Sequence, residues 1–354
     1  MTLTKADIPS AALDRFRRGA VIPAHPLALT ANRKLDPRRQ AALTRYYIDA
    51  GSGGLAVGVH TTQFEIREAG LYEPVLKLAV ETVANWTQDP QFLIAGVAGR
   101  TVQAVEEAKV AAALGYHAVL LSLAAFKGAS EDEIIEHCAR IAQEMPLIGF
   151  YLQPAVGGVL LPFSFWRRFA EIDNVVGIKM APFNRYRTLD VVRGVVAAGA
   201  EDHIALYTGN DDNILLDLLA PYRVMRDGTP VEIRIAGGLL GHWSVWVHSV
   251  AALLEAAHTA VAEDDVSQEL LALAGQITDC NAAFFDVAHD FRGCIAGMHE
   301  VLRRQGLLEG IWCLDADETL SPGQAAEIER VCRDYPHLND DVFVSANLER
   351  WLSA

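Results

Sequence analysis

Eight short apolar runs, rich in β-branched and small residues, alternate with helix-like segments along the first 240 residues. They recur about every thirty residues, as consecutive βα units do. Eight strands buried on both faces predict an α/β fold of the closed (β/α)₈ TIM-barrel type, because the G-x-G-x-x-G fingerprint of open doubly wound sheets does not follow the first run. The predicted strands are GAVIPAH, GGLAVGV, QFLIAGVA, HAVLLSL, PLIGFYL, VVGIKM, HIALYTG and EIRIAGG.

The strand pattern ends near residue 245, and the remaining segments have helical periodicity only. We therefore predict a helical lead-in over 1–19, the barrel over 20–262 and a helical C-terminal region over 263–354. The segment APYRVMRDGTPVE, between the seventh and eighth predicted strands, contains an Asp-Gly turn and is predicted to be a surface insertion.

Composition narrows the class of protein. The chain is 51% hydrophobic and 21% charged, which allows a large buried core. A net charge of -15 argues against nucleic acid and anionic membranes as partners. The sequence has no signal-like apolar segment near its start and no run long enough to span a bilayer. Because the five cysteines lack metal-site spacing, we expect a cytoplasmic protein without disulfides or structural zinc.

Lys179 interrupts the sixth predicted strand close to its C-terminal end, where the catalytic groups of such barrels lie. An amine facing the barrel interior loses hydration, so its pKa falls below the ordinary value of about 10.4. A neutral amine is a nucleophile for ketones. The alternative is a structural lysine that extends to solvent or pairs with Asp190 or Glu171.

Hydroxyl groups follow two other strands. Tyr151 ends the fifth strand and could act as general acid and base, although a packed aromatic is the alternative. Thr61 and Thr62 follow the second strand and could hold a carboxylate, although an ordinary turn would have the same composition.

The combined pattern resembles the dihydrodipicolinate synthase/N-acetylneuraminate lyase family of Schiff-base (class I) aldolases over about residues 20–335, as a divergent member. The motifs that carry the resemblance are a tandem Thr after strand two, a Tyr followed three residues later by Pro at strand five, GIK at strand six, TGND at strand seven and GGLLGHWSV near strand eight.

The resemblance implies a (β/α)₈ barrel with a helical C-terminal extension, a homotetramer, and a Schiff base between lysine and pyruvate or another 2-keto acid. It implies no metal and no organic cofactor. Lys179 would be the Schiff-base lysine, and Tyr151 the proton shuttle. Thr61 and Thr62 would be the hydroxyl relay and carboxylate cradle, and Gly209 would let substrate approach the backbone of strand seven.

Two departures from the family pattern bear on the reaction. Dihydrodipicolinate synthases carry an arginine five residues after the strand-five tyrosine, where this chain has Val156, so we do not expect dihydrodipicolinate synthesis. The usual GTTGE is replaced by HTTQF, with His60, Gln63 and Phe64 altering the pocket.

A third departure removes a hydroxyl. The tyrosine that many relatives supply after strand four corresponds to SLAAFKG, which has no hydroxyl at the matching positions. Our hypothesis is that His60 or His242 takes over proton transfer, since an imidazole titrates in the useful pH range.

The remaining site candidates concern the substrate. Asp211 and Asp212 match an acidic pair that binds substrate hydroxyls in the sugar-acid lyases of the family, although a helix N-cap is the alternative. Trp243 could form a pocket wall. With His242 beside it, Trp243 favours an acceptor smaller or flatter than sialic acid.

These observations predict a carbon–carbon lyase or aldolase that cleaves or condenses a 2-keto acid, with pyruvate or an analogue as the keto component and a hydroxylated sugar-acid type of substrate. A 2-keto-3-deoxy sugar acid dehydratase using the same lysine is one alternative, and a non-catalytic keto-acid-binding barrel is another. A metal-dependent enzyme is disfavoured because the histidines form no ligand cluster in the sequence.

Overall fold

A computed structural model describes residues 2–353 and contains ten β-strands and thirteen α-helices in that range. Eight of the strands form one parallel sheet in the order β1-β10-β7-β6-β5-β4-β3-β2. A parallel bridge between Ala24 and Ala56 joins its two edges, so the sheet closes. The predicted (β/α)₈ barrel is confirmed. The strands are β1 Val21–Pro23, β2 Gly54–Val57, β3 Phe92–Val97, β4 Ala118–Leu121, β5 Leu147–Leu152, β6 Val175–Ala181, β7 Ala205–Thr208, β8 Tyr222–Arg226, β9 Thr229–Ile233 and β10 Ile235–Leu240.

Helices surround the barrel and continue beyond it as the predicted C-terminal extension. Across residues 2–353, none of them is both long enough and apolar enough to cross a bilayer. The helices are α1 Ser10–Arg18, α2 Pro37–Asp49, α3 Tyr72–Trp86, α4 Thr101–Leu114, α5 Glu131–Ala142, α6 Phe163–Ala170, α7 Arg185–Ala197, α8 Ile214–Leu219, α9 Val247–Glu263, α10 Gln268–Phe284, α11 Cys294–Arg304, α12 Gln324–Asp334 and α13 Asp341–Ser353.

The eighth barrel strand lies later in the chain than the sequence pattern predicts. The predicted run EIRIAGG begins inside β9, which pairs antiparallel with β8 as a surface hairpin. Asp227 and Gly228 form its turn with φ of 51° and 82°, the positive values that a two-residue hairpin turn requires. The predicted insertion is therefore a β-hairpin, and the strand that closes the barrel starts after it.

The N-terminal end of the barrel is filled by a side chain from the helical lead-in. Phe16 of α1 stacks on Phe92 and Tyr207, with ring centroids 4.2 Å and 4.6 Å apart. A β-carbon at Gly177 would lie 2.8 Å from the Phe16 ring, so glycine makes room for it. Phe16 therefore closes the barrel interior at this end.

Candidate active site

A partly open cavity of about 50 Å³ lies at the C-terminal ends of the strands, with room for about four water molecules. Its polar lining consists of His60, Thr61, Gln153, Lys179 and Asp211. The lining is otherwise apolar and includes four phenylalanines. The apolar and glycine residues are Ala24, Val59, Phe150, Leu152, Val156, Ala181, Phe183, Gly209, Gly241, Phe285, Phe291 and Cys294.

Lys179 projects from β6 into this cavity. The residue is only 7% exposed, and its Nζ lies 4.5 Å from the centre of the Phe150 ring. Burial lowers the pKa of Lys179 to about 8, although the negative charge of Asp211 opposes that shift. The amine is therefore neutral far more often near pH 7 than an exposed lysine is.

Gly209, just after β7, provides the space for the lysine side chain. A β-carbon at this position would lie 2.6 Å from Lys179 Cε and 3.0 Å from Lys179 Cγ. The Gly209 amide also donates a hydrogen bond of 2.6 Å to the carbonyl of Met180. The family resemblance predicts that Gly209 lets substrate approach the backbone, and the structure shows that this glycine also makes room for the Lys179 side chain.

The two predicted threonines have different surroundings. Thr61 lines the cavity and donates a hydrogen bond of 2.7 Å from its hydroxyl to the carbonyl of Ala24. Thr62 lies behind the wall, where its hydroxyl donates to the carbonyl of His25 and accepts the Gly58 amide. This corrects the prediction for Thr62, whose side chain holds the turn and does not line the cavity.

Of the two predicted acidic site residues, only one lines the cavity. Asp211 lines the cavity, and its Oδ1 accepts the His242 amide at 2.8 Å. Burial raises the pKa of Asp211 to about 7, while the positive charge of Lys179 opposes the shift. Asp212 lies outside the cavity with a side chain 42% exposed, and it pairs with Arg185 at 3.4 Å. The prediction that Asp212 binds substrate is corrected accordingly.

A buried carboxylate that the sequence analysis missed supports the loop after β7. Asp217 accepts hydrogen bonds from Thr208, Asn210 and Arg185 at 2.7 to 2.8 Å. Asn210 in turn accepts the Phe183 amide at 3.1 Å, which links this loop to the one after β6. The available signal was an aspartate within the apolar helix NILLDLL, because such a residue is rarely buried without partners.

Tyr151 does not line the cavity. On β5, Phe150 and Leu152 face inward, and Tyr151 packs outward against Trp166 of α6 with ring centroids 5.2 Å apart. Its hydroxyl accepts the Leu161 amide at 3.3 Å. The predicted proton-shuttle role of Tyr151 is thus corrected, since neighbouring residues of a strand face opposite sides and the preceding Phe150 occupies the inner one.

His60 and His242 also differ in their positions. His60 lines the cavity, and burial together with the charge of Lys179 lowers its pKa to about 4. The ring of His242 is directed towards α10, with Nδ1 3.3 Å from the Asn281 side-chain nitrogen. Only the main-chain amide of His242 reaches the site, through Asp211, so its predicted contact with substrate is corrected.

Trp243 is likewise a core residue. It is fully buried, and a β-carbon at Gly238 would lie 2.4 Å from its ring. It is not part of the cavity lining, so the predicted pocket wall at Trp243 is corrected.

The C-terminal extension supplies the roof of the cavity, which the sequence analysis did not predict. Phe285, Phe291 and Cys294 come from the segment between α10 and α11 and from the start of α11. Phe291 meets Phe183 edge to face at 5.8 Å. The aromatic cluster NAAFFDVAHDF, within an otherwise alanine-rich region, was the available signal.

Comparison with known proteins identifies the family of the chain. The Dihydrodipicolinate synthetase family matches residues 18–221. A 4-hydroxy-tetrahydrodipicolinate synthase from Desulforudis audaxviator is 28% identical over 205 residues, which cover 57% of this chain and 66% of the relative. The chain thus spans less than two thirds of this relative's length.

Solved structures share the fold along most of the chain. The dihydrodipicolinate synthase from Acinetobacter baumannii complexed with pyruvate superposes with a TM-score of 0.73 at 21% identity, covering 90% of this chain and 99% of that one. The N-acetylneuraminate lyase from Fusobacterium nucleatum gives 0.70 at 17% identity, covering 90% and 99%. With more than half of its residues matched, this chain belongs to the dihydrodipicolinate synthetase family.

Proposed function

We propose that this protein is a Schiff-base-forming lyase or aldolase whose keto component is pyruvate or a similarly small 2-keto acid. The observation that carries the proposal is the Lys179 amine, which lies in a small cavity and has its pKa lowered by burial. Membership of the family supports the same reaction class.

The cavity suits the steps of this chemistry. The neutral amine of Lys179 attacks the ketone and, after loss of water, forms a protonated imine. The imine withdraws electrons, so the bond between C3 and C4 of the acid can break and leave an enamine. Thr61 lines the same cavity, and its hydroxyl could orient the carboxylate of the acid if it turned away from the Ala24 carbonyl to which it donates.

The other residues that line the cavity indicate the nature of the aldehyde component. A hydroxylated sugar acid was expected from two aspartates, but only Asp211 lines the cavity. Val156 stands where dihydrodipicolinate synthases have arginine, and Phe183 and Phe291 enclose the remaining space. We infer an aldehyde component that is less polar than a sugar, and a reaction other than dihydrodipicolinate synthesis.

A dehydratase acting on a 2-keto-3-deoxy acid is a second candidate. The specific observation in its favour is the buried carboxyl of Asp211, whose raised pKa would let it protonate a leaving hydroxyl group. Release of pyruvate separates a lyase from a dehydratase, which retains the carbon chain and loses water.

Reductive trapping tests the shared step. Incubation with pyruvate and sodium borohydride should add one reduced pyruvate to Lys179, located by peptide mass spectrometry. Lys179→Arg should abolish the adduct, whereas Lys127→Arg, at an exposed position, should retain it. Absence of the adduct would contradict both enzyme candidates. Trapping without turnover of any keto acid would instead favour the keto-acid-binding barrel.

The oligomeric state and the cellular location of the protein stay predictions. The family resemblance predicts a homotetramer, which sedimentation of the purified protein would test. Cytoplasmic location is predicted from the composition and the cysteine pattern alone.

A further inference from the structure

Enamine chemistry requires a group that removes and returns a proton, and the outward-facing Tyr151 does not line the cavity. Apart from Lys179, four cavity residues have a side chain that can release a proton to a reacting atom: His60, Thr61, Asp211 and Cys294. The hydroxyl proton of Thr61 is engaged by a backbone carbonyl, and burial raises the pKa of the Cys294 thiol well above its usual value. The choice therefore lies between the imidazole of His60 and the carboxyl of Asp211.

Asp211 is held in a defined orientation. Its Oδ1 accepts the His242 amide at 2.8 Å, which leaves Oδ2 available to a bound molecule. It follows Gly209 by two residues, and Gly209 packs directly against the stem of Lys179. The carboxyl and the amine are close enough for the charge of each to shift the pKa of the other. Both side chains line the same cavity, and within residues 2–353 no ion pair joins them.

The ring of His60 is less well suited. Its aromatic neighbour is Phe64, at 6.0 Å, and no hydrogen bond to its ring nitrogens is found among residues 2–353. Without such a bond the tautomer and orientation of the imidazole are not fixed.

We propose that Asp211 is the proton-transfer residue of this site, in the role that a strand-five tyrosine would otherwise fill. The proposal rests on the proposed function, since it assumes an imine on Lys179.

The carboxyl group of Asp211 alone can accept and return the proton that the reaction moves. In the cleavage direction, the carboxylate of Asp211 takes the proton of the C4 hydroxyl of the imine-bound acid. The C3–C4 bond breaks, its electron pair moves through C3 to the imine nitrogen, and the aldehyde leaves. The resulting carboxylic acid then protonates C3 of the enamine, which restores both the carboxylate and the imine of pyruvate. Water hydrolyses that imine and releases pyruvate and the free amine.

The charged surroundings of Asp211 are consistent with this role. It is influenced by Lys179 on β6, Asp212 in its own loop and Cys294 on α11, and His60 also lines the cavity. Burial raises the pKa of Asp211 to about 7, so both the acid and the base are populated near neutral pH.

Exchange of the pyruvate methyl protons with D₂O tests the proposal without knowledge of the aldehyde, because exchange requires only the imine and a base. Proton NMR would follow the full-length protein with pyruvate in D₂O. Asp211→Asn, which keeps an acceptor for the His242 amide, should slow exchange at least about 100-fold. Asp212→Asn, at the neighbouring position outside the cavity, removes a charge that raises the pKa of Asp211 and should therefore keep exchange within about threefold of the wild-type rate. Borohydride trapping on Lys179 should persist in both variants.

The outcomes separate the two proposals. Failure of the wild-type protein to trap pyruvate contradicts the proposed function itself. Normal trapping overturns the role of Asp211 if the wild-type protein does not exchange, if Asp211→Asn exchanges within about threefold of wild type, or if His60→Gln abolishes exchange. Loss of trapping in Asp211→Asn alone would also overturn it, because the carboxyl would then be needed to form the imine.

Discussion

At the scale of single residues, the ionisation of Lys179 sets the pH at which the site can react. Its pKa is lowered to about 8 by burial, so about one amine in ten is neutral at pH 7, against less than about one in a thousand for an ordinary lysine. We expect the rate of cyanoborohydride trapping with pyruvate to rise with pH to a midpoint near 8.

Asp211→Asn provides the matched comparison for this midpoint. The negative charge of Asp211 raises the pKa of Lys179, so its removal should move the midpoint to lower pH. A midpoint near the ordinary lysine value of about 10.4 in the wild-type protein would contradict burial as the cause of the shift.

Gly209 gives a second prediction at this scale. In Gly209→Ala the new β-carbon would lie 2.6 Å from Lys179 Cε, so the amine must move. A displacement of about 1 Å can cost about 100-fold in rate, and we expect a loss of that order in pyruvate trapping measured by mass spectrometry.

Gly275→Ala is the control for this substitution. Gly275 lies inside α10, and a β-carbon there would meet no atom within 4 Å. Alanine should leave trapping unchanged and stabilise the helix by up to about 1 kcal/mol. Equal trapping by the two variants would show that the lysine stem adapts to the lost space.

At the scale of elements, the strand ends are held by polar groups as well as by the sheet. Asp217 of α8 is buried and accepts hydrogen bonds from the end of β7, the loop after it and the start of α7. Asp217→Ala leaves Thr208 and Asn210 without these bonds. We expect it to lower the free energy of unfolding by about 3 kcal/mol in urea titrations.

The comparison variant is Asp212→Asn, which removes a partly exposed pair with Arg185. An exposed pair contributes about 1 kcal/mol or less, so its effect should be small. Similar losses for the two variants would contradict a special role of the buried network.

The elements also show what could be predicted from the sequence. Periodicity located seven barrel strands, part of the eighth and the chemically important Lys179, because buried parallel strands leave a strong apolar signal. It could not tell which face of β5 points inward. A bulge at Val176 shifts the register between β5 and β6, and Phe150 pairs with Lys179 while Tyr151 faces the helices. Such a shift depends on packing across strands, which one sequence does not reveal.

At the scale of the whole molecule, the barrel and the C-terminal extension share one site. The cavity is floored by Lys179 on β6 and roofed by Phe285 and Phe291, more than 100 residues further along the chain. The roof was not predicted, because contacts between distant helices leave no local pattern. The predicted domain boundary at residue 262 stays a prediction. Because both parts contribute residues to the cavity lining, we expect them to unfold together.

Weakening the packing of α13 against α2 tests whether the barrel and the C-terminal extension unfold together. Trp351 is fully buried, its ring lies 5.4 Å from that of Tyr46, and its Nε1 donates to Asp49 at 2.6 Å. Trp351→Ala should destabilise the protein by about 3 to 5 kcal/mol. If barrel and extension unfold as one unit, circular dichroism and pyruvate trapping should lose signal at the same, lower urea concentration.

Val342→Ala, on the same helix but 84% exposed, should leave both midpoints unchanged. If Trp351→Ala moved the circular dichroism transition and left trapping at its wild-type midpoint, the extension would unfold independently. The aromatic roof would then be dispensable for imine formation, because the barrel alone would hold the lysine buried.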